Sequence, residues 1–112
     1  MTDNNTATSD KQQATRTQPE ILEEIKKILW RHLDRKKYRA FVYGSRAVGD
    51  SFKWSDVDVG IEGDKPIPMT EWTDIEDDLE QSNIPFMVEV VDFKRVDKDF
   101  YKRAKQKVIP LN

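Results

Sequence analysis

The chain of 112 residues has no cysteine, little glycine (four residues) and no excess of charge of either sign, with 19 Lys and Arg against 21 Asp and Glu. Without cysteine there can be no disulfide and no thiolate-held zinc, and the redox compartment stays open. No apolar run approaches the length of a membrane span, and the N-terminus lacks the apolar core of a leader peptide, so no membrane contact and a cytoplasmic setting are the default expectation. The net charge of −2 is not that of a protein living on non-specific nucleic-acid binding, which is usually clearly basic. Apolar side chains are almost missing from residues 1–18, which apart from Met1 and Arg16 are Thr, Asn, Ser, Asp, Lys, Gln and Ala with little to bury. That composition predicts a disordered tail. Residues 19–112 remain as one domain, with room for one modest core and none for a second, substrate-binding unit.

What is present reads as alternating elements. Pro19-Glu20 suits a helix start, and Leu22, Ile25, Ile28, Leu29 and Leu33 recur at helical spacing. The basic stretch Arg35-Lys36-Lys37 suits that helix's end. A strand is expected over 39–43, then a Gly-Ser turn with a short helical piece, then a strand over 57–61 stopped by Gly63-Asp64-Lys65-Pro66. A second helix over 70–82 turns Trp72, Ile75 and Leu79 inward and leaves Asp74, Glu76, Asp77, Asp78 and Glu80 to solvent. Pro85 precedes a third strand over 86–93. Asp97 then caps a last helix that carries Val96, Phe100, Ala104 and Val108 at four-residue intervals. The order predicts an α+β domain: a small mixed sheet of about three to four strands with helices packed on one face.

The most distinctive stretch is Gly44-Ser45-Arg46-Ala47-Val48-Gly49, a polar connector, then Ser55-Asp56-Val57-Asp58. Glycine after a strand lets backbone N–H groups approach phosphate oxygens, and a turn opening a helix adds the positive end of a dipole. Two carboxylates at i and i+2 on a strand share a face and can hold a divalent cation between them. Parity extends the set. If Val57, Val59 and Ile61 face the helices, Asp56 and Asp58 lie on the other sheet face; if Val88 and Val90 join the core, Glu89 lands beside them.

The spacing Tyr43-Gly44-Ser45, a gap of roughly ten residues, then Asp56-Val57-Asp58-Val59 resembles the nucleotidyltransferases of the DNA polymerase beta type. The fuller form, Gly-Ser-Arg-Ala-x-Gly followed by Ser-Asp-x-Asp, looks most like the minimal nucleotidyltransferase (MNT) domains, and the likeness extends from about residue 19 onward. The resemblance implies the polymerase beta-like fold, ATP as substrate and two Mg²⁺ ions. It implies that Asp56 and Asp58 bridge the metals and that a third acid from a neighbouring strand completes the set. By the match in Pro85-Phe86-Met87-Val88-Glu89-Val90-Val91-Asp92 that acid is Glu89, where many relatives have Asp. Asp92 is the alternative, disfavoured because it should point to the opposite face. Gly44 and Ser45 would contact the β- and γ-phosphates, Arg46 would clamp phosphate as a bidentate donor, and Lys53 is a weaker candidate for the same task.

Domains of this size are commonly paired with a small all-helical HEPN protein, the HEPN member acting as RNase toxin and the MNT member as antitoxin. The resemblance therefore implies an antitoxin that transfers AMP from ATP to a tyrosine of its helical partner, as a hetero-oligomer or homodimer. The alternatives are a binding module that neutralises its partner by occlusion, and a small-molecule nucleotidyltransferase subunit assembled with a separate helical protein. Several residues have plainer readings. His32 is a packed or partly exposed helix residue. Trp54 is loop packing or a stacking surface. The acidic run 74–80 is a solvated helix face, and Lys102, Arg103, Lys105 and Lys107 complement the end of the last helix.

Overall fold

The computed structural model describes residues 18–44, 47 and 56–112. The proposed tail up to residue 17, the Ser45 and Arg46 positions, and the connector with Lys53 and Trp54 lie outside the described residues.

The helix α1 spans Gln18–His32. Its Ile21, Ile25, Ile28 and Leu29 recur at three- and four-residue steps and are all buried, the single apolar stripe of a helix laid on a sheet. It ends three residues before Arg35, so the basic triplet sits in the connecting turn and not in the helix. Strand β1 follows (Tyr38–Tyr43), then β2 (Val57–Gly63), α2 (Met69–Glu80), β3 (Val88–Asp92), α3 (Lys98–Ala104) and a short β4 (Ile109–Pro110). The four strands form one mixed sheet in the order β3-β2-β1-β4. β1 lies antiparallel to β2 and β4, whereas β2 and β3 run parallel, joined by α2. This is the expected α+β architecture.

Strand alternation divides the sheet. One face carries Ala40, Val42, Val57, Val59, Ile61 and Val90 and packs against Ile21, Ile25, Leu29, Ile75 and Leu79 of α1 and α2, the main core. The other face carries a smaller aromatic core of Phe41, Tyr43 and Phe93, covered by Val96, Phe100, Tyr101, Ala104 and Val108. The expectation of helices on one face therefore holds for the two long helices and not for the third. The two long helices pack on one side, and the short α3 covers the middle of the other. The reason is aromatic: Phe93 meets Phe41 edge-on with ring centroids 4.8 Å apart, Tyr43 at 5.2 Å and Phe100 at 5.6 Å, separations at which such pairs attract beyond simple area burial.

The last helix is shorter than its four-residue repeat suggested. Asp97 caps it as expected, accepting from the Phe100 N–H at 2.8 Å. The helix stops at Ala104, and Val108 reaches the aromatic cluster from the segment beyond. That segment then turns into β4, held by the Leu111 N–H donating to the Ala40 carbonyl at 2.8 Å and by Trp30 Nε1 donating to the Leu111 carbonyl at 3.0 Å.

Candidate active site

The candidate site lies where β1 ends and β2 begins. Gly44, directly after β1, is the one residue with positive φ among those described, at +80°. That region is open to glycine and costs an L-residue about 1–2 kcal/mol. A second constraint sits in front of it: a Cβ at Gly44 would come within 2.8 Å of Asp58 Oδ2. Backbone and carboxylate are packed so closely that only a hydrogen fits between them. The Gly44 carbonyl accepts from the Ala47 N–H at 3.1 Å, closing the chain on itself at this point.

Register brings the acids to this corner. Asp58 stands opposite Tyr43 in the antiparallel pair and beside Glu89 in the parallel pair. Asp56 lies just ahead of β2 and is exposed. Burial raises the Asp58 carboxyl above its ordinary range, and the negative charges of Glu89 and Asp56 push it further. The Tyr43 phenol is pushed up to about 12, first by burial and then by Asp58 and Glu89. It therefore stays protonated at neutral pH and is a hydrogen-bond donor there, not a base. The two shifts share their causes: burial first, then the negative charge of neighbouring carboxylates.

Asp92 does something else. It lies on the main-core face and is buried, with Oδ2 accepting from the Ile67 N–H at 2.9 Å and Oδ1 from the Lys94 N–H at 3.0 Å. Its carboxylate ties the β2–α2 loop to the turn after β3. Of the sequence-derived candidates, the structure brings Gly44, Asp56, Asp58 and Glu89 to one corner and sends Asp92 to the other side of the sheet. Ser45 and Arg46 lie outside the described residues.

The chemistry of the donor set suits a hard divalent cation, because all three side chains offer carboxylate oxygens, and the repulsion at Asp58 is what such an ion would relieve. Among the described residues, however, no three acidic or histidine side chains are gathered closely enough to hold an ion as they stand. Asp58 is half-buried in the strand pair, whereas Asp56 and Glu89 are exposed.

Beside Gly44 a cleft of about 570 Å³ opens between Tyr43 and the far end of α3, bordered by Phe100, Arg103, Ala104, Gln106 and Lys107. Arg103 and Lys107 bring positive charge to the edge of the acidic corner. The sequence reading took them as complements of a helix end. The missing signal was three-dimensional: α3 lies on the site's face of the sheet, which periodicity does not reveal.

Residues 23–111 match the family Polymerase beta, Nucleotidyltransferase. The chain belongs to that family. It is 27% identical over 63 residues to the "Probable protein adenylyltransferase MntA" of Haemophilus influenzae, covering 56% of this chain and 55% of that protein. The match spans about half the length of that curated relative. A crystal structure of a toxin–antitoxin with AMP-PNP superposes with a TM-score of 0.67 at 18% identity, over 81% of this chain and 72% of that one. The shared fold is that of a polymerase beta-like nucleotidyltransferase. Among the described residues no helix is long and apolar enough to cross a membrane.

Proposed function

We propose that this nucleotidyltransferase moves AMP from ATP to a tyrosine hydroxyl of a helical HEPN-type partner, acting as its antitoxin. The observation that carries the reading is the corner itself: a positive-φ glycine packed against Asp58, with Asp58 in register with Glu89 and Asp56 adjoining.

In the reaction the acceptor hydroxyl loses its proton, and its oxygen bonds to the α-phosphorus of ATP. The bond from that phosphorus to the bridging oxygen breaks, and pyrophosphate leaves. Asp56, Asp58 and Glu89 would hold Mg²⁺, which when bound supplies positive charge at the triphosphate. Glu89, exposed and on a longer stem than Asp, orients the acceptor hydroxyl and receives its proton. Gly44 lets the backbone approach the β- and γ-phosphates, with Ser45 and Arg46 following it. Arg103 and Lys107 border the cleft at Gly44 and add charge of the sign a triphosphate needs. Tyr43, kept protonated, has a hydroxyl proton to donate and does not act as a base.

The test is ATP and Mg²⁺ incubated with the domain and its co-purified partner, read by intact mass of the partner. An added adenylyl group, absent with Asp56→Asn/Asp58→Asn, supports the reading. Neutralisation of the partner without such a mass shift points instead to a non-catalytic module acting by occlusion. One observation favours that second reading, namely that the described acids are adjacent but not gathered around a common point.

A further inference from the structure

The largest opening described lies away from the acids. A cleft of about 930 Å³ occupies the other end of the sheet, and its lining includes Arg35, Lys36, Lys37, Arg39, Lys94 and Lys105 against only two carboxylate side chains, Glu62 and Asp64. The whole chain carries a net charge of −2, so this concentration of cations runs against the molecule's own balance. Tyr38 and Tyr43 mark the two ends of β1. Five steps of about 3.3 Å put the cleft about 17 Å from the acidic corner.

The cations are placed by built turns. After α1, the Asp34 carbonyl accepts from both the Lys37 and Tyr38 N–H groups, and the Asp34 side chain accepts from the Lys36 N–H at 2.9 Å. After β3, buried Asp92 does the same for the Lys94 N–H at 3.0 Å. Two aspartate-anchored turns thus present lysines side by side at one end of the sheet, with backbones already ordered. Arg39 of β1 lines the same cleft.

Lys105 belongs to the wall: it lies 4.6 Å from the centre of the Phe41 ring and pairs with Glu62 at 3.0 Å. Glu62 is further engaged by the Tyr101 hydroxyl. Lys36, Lys37, Arg39 and Lys94 are exposed, and among the described residues none has a carboxylate within ion-pair distance.

We propose that this cleft is a docking site for an acidic segment of a partner protein, separate from the nucleotidyltransferase corner. The occupant is polypeptide and not single-stranded nucleic acid because the aromatic rings at the cleft are already used. Tyr38 covers Gly63, where a Cβ would meet its ring at 2.6 Å, and Tyr101 packs on Phe93 with its hydroxyl on Glu62. Neither offers the free face on which successive bases stack. Flexible lysines and arginines around a shallow, half-polar opening suit carboxylates arriving on a protein surface, where complementary charge steers encounter and fixes register. The proposal stands whether or not the acidic corner turns over.

The test is fluorescence anisotropy of a labelled oligoglutamate peptide with the full chain at low salt, set beside a labelled oligouridylate. The wild type should bind the peptide, and the affinity should fall as salt is raised to about 0.15 M, where charges beyond about 8 Å are screened. Lys36→Glu/Lys37→Glu/Lys94→Glu should weaken binding at least about tenfold, on the scale of about 0.2–1 kcal/mol per exposed pair. Lys27→Glu/Lys98→Glu/Lys102→Glu, with the same change in net charge outside the cleft, should weaken it far less. Amide shifts in the wild type should move at residues 36–39, 62–64 and 94. Equal losses in the two variants, no peptide binding, or tighter binding of oligouridylate at these same residues would overturn the proposal.

Discussion

Asp58 and Glu62 lie four residues apart on β2 and project from the same face of the sheet, yet their carboxyls move in opposite directions. Burial raises both. At Asp58 the neighbours are Glu89 and Asp56, which add to the rise. At Glu62 hydrogen bonds from Tyr101 and Lys105 outweigh burial and leave the group below its ordinary value. One end of the face thus gathers carboxylates around half-buried Asp58, and the other is held in hydrogen bonds beside a cation-lined cleft. The fold itself does not require the repulsion, since the main core lies on the other side. Like charges gathered beside a glycine turn are the kind of environment found at functional sites. Charge fully partnered, as at Glu62, is the mark of structure.

The largest effect expected is on chemistry at the acidic end. Asp56→Asn/Asp58→Asn should lower nucleotidyl transfer by about a thousandfold or more, the scale of losing preorganised charge stabilisation, while the thermal midpoint stays level or rises. Transfer of labelled AMP and a melting curve on the same preparation measure both. A matching collapse of stability would mean that the acids hold the fold and not a ligand.

Gly44→Ala sharpens the same end through the backbone. Positive φ costs about 1–2 kcal/mol for a side-chain-bearing residue, and the new Cβ must displace Asp58 from 2.8 Å. The thermal midpoint should fall by roughly 5–10 °C, given that 1 kcal/mol shifts a domain of this size by about 4–8 °C. Transfer should fall by more than the loss of folded protein explains.

The smallest effects form a mirrored pair in pH. Asp58 has a raised folded value, so the folded state holds its proton more tightly and stability falls as pH rises from the ordinary value near 3.8 through the raised one. Asp58→Asn should therefore be more stable than wild type above that window and equal to it below. Glu62 has a lowered folded value, so its contribution is present above the ordinary value near 4.5 and is lost as pH falls through the lowered one. Glu62→Gln should be less stable than wild type by about 0.5 kcal/mol at neutral pH, in line with a partly exposed pair, with the gap closing in acid. Urea titrations across pH would show the two differences with opposite sign; the same sign would break the comparison.

Much of this was legible in the sequence because period-two and period-3.6 patterns report burial directly. The alternation in Val57-Asp58-Val59 and Val88-Glu89-Val90 was enough to put Asp58 and Glu89 on one face and Asp92 on the other, and the structure has that arrangement. Elements with no pattern of their own were harder. β4 is two residues long and includes a proline, and its place beside β1 is set by tertiary hydrogen bonds. The four-residue spacing of Phe100, Ala104 and Val108 indicated the correct apolar side but too long a helix, since a residue can reach a cluster from a loop. The basic cleft was invisible because its cations come from α1's exit turn, β1, β3's exit turn and α3, and only folding brings them together.

The most direct test of the central claim, that ligand chemistry belongs to the acidic end of the sheet, is an amide-shift titration of the chain with ATP and Mg²⁺. Shifts centred on residues 44–46, 56–58, Glu89 and the Arg103–Lys107 border of the adjoining cleft, with Tyr38, Glu62 and Lys94 unmoved, are the predicted result. Shifts centred on Tyr38, Glu62 and Lys94, with the Gly44 corner silent, would contradict it.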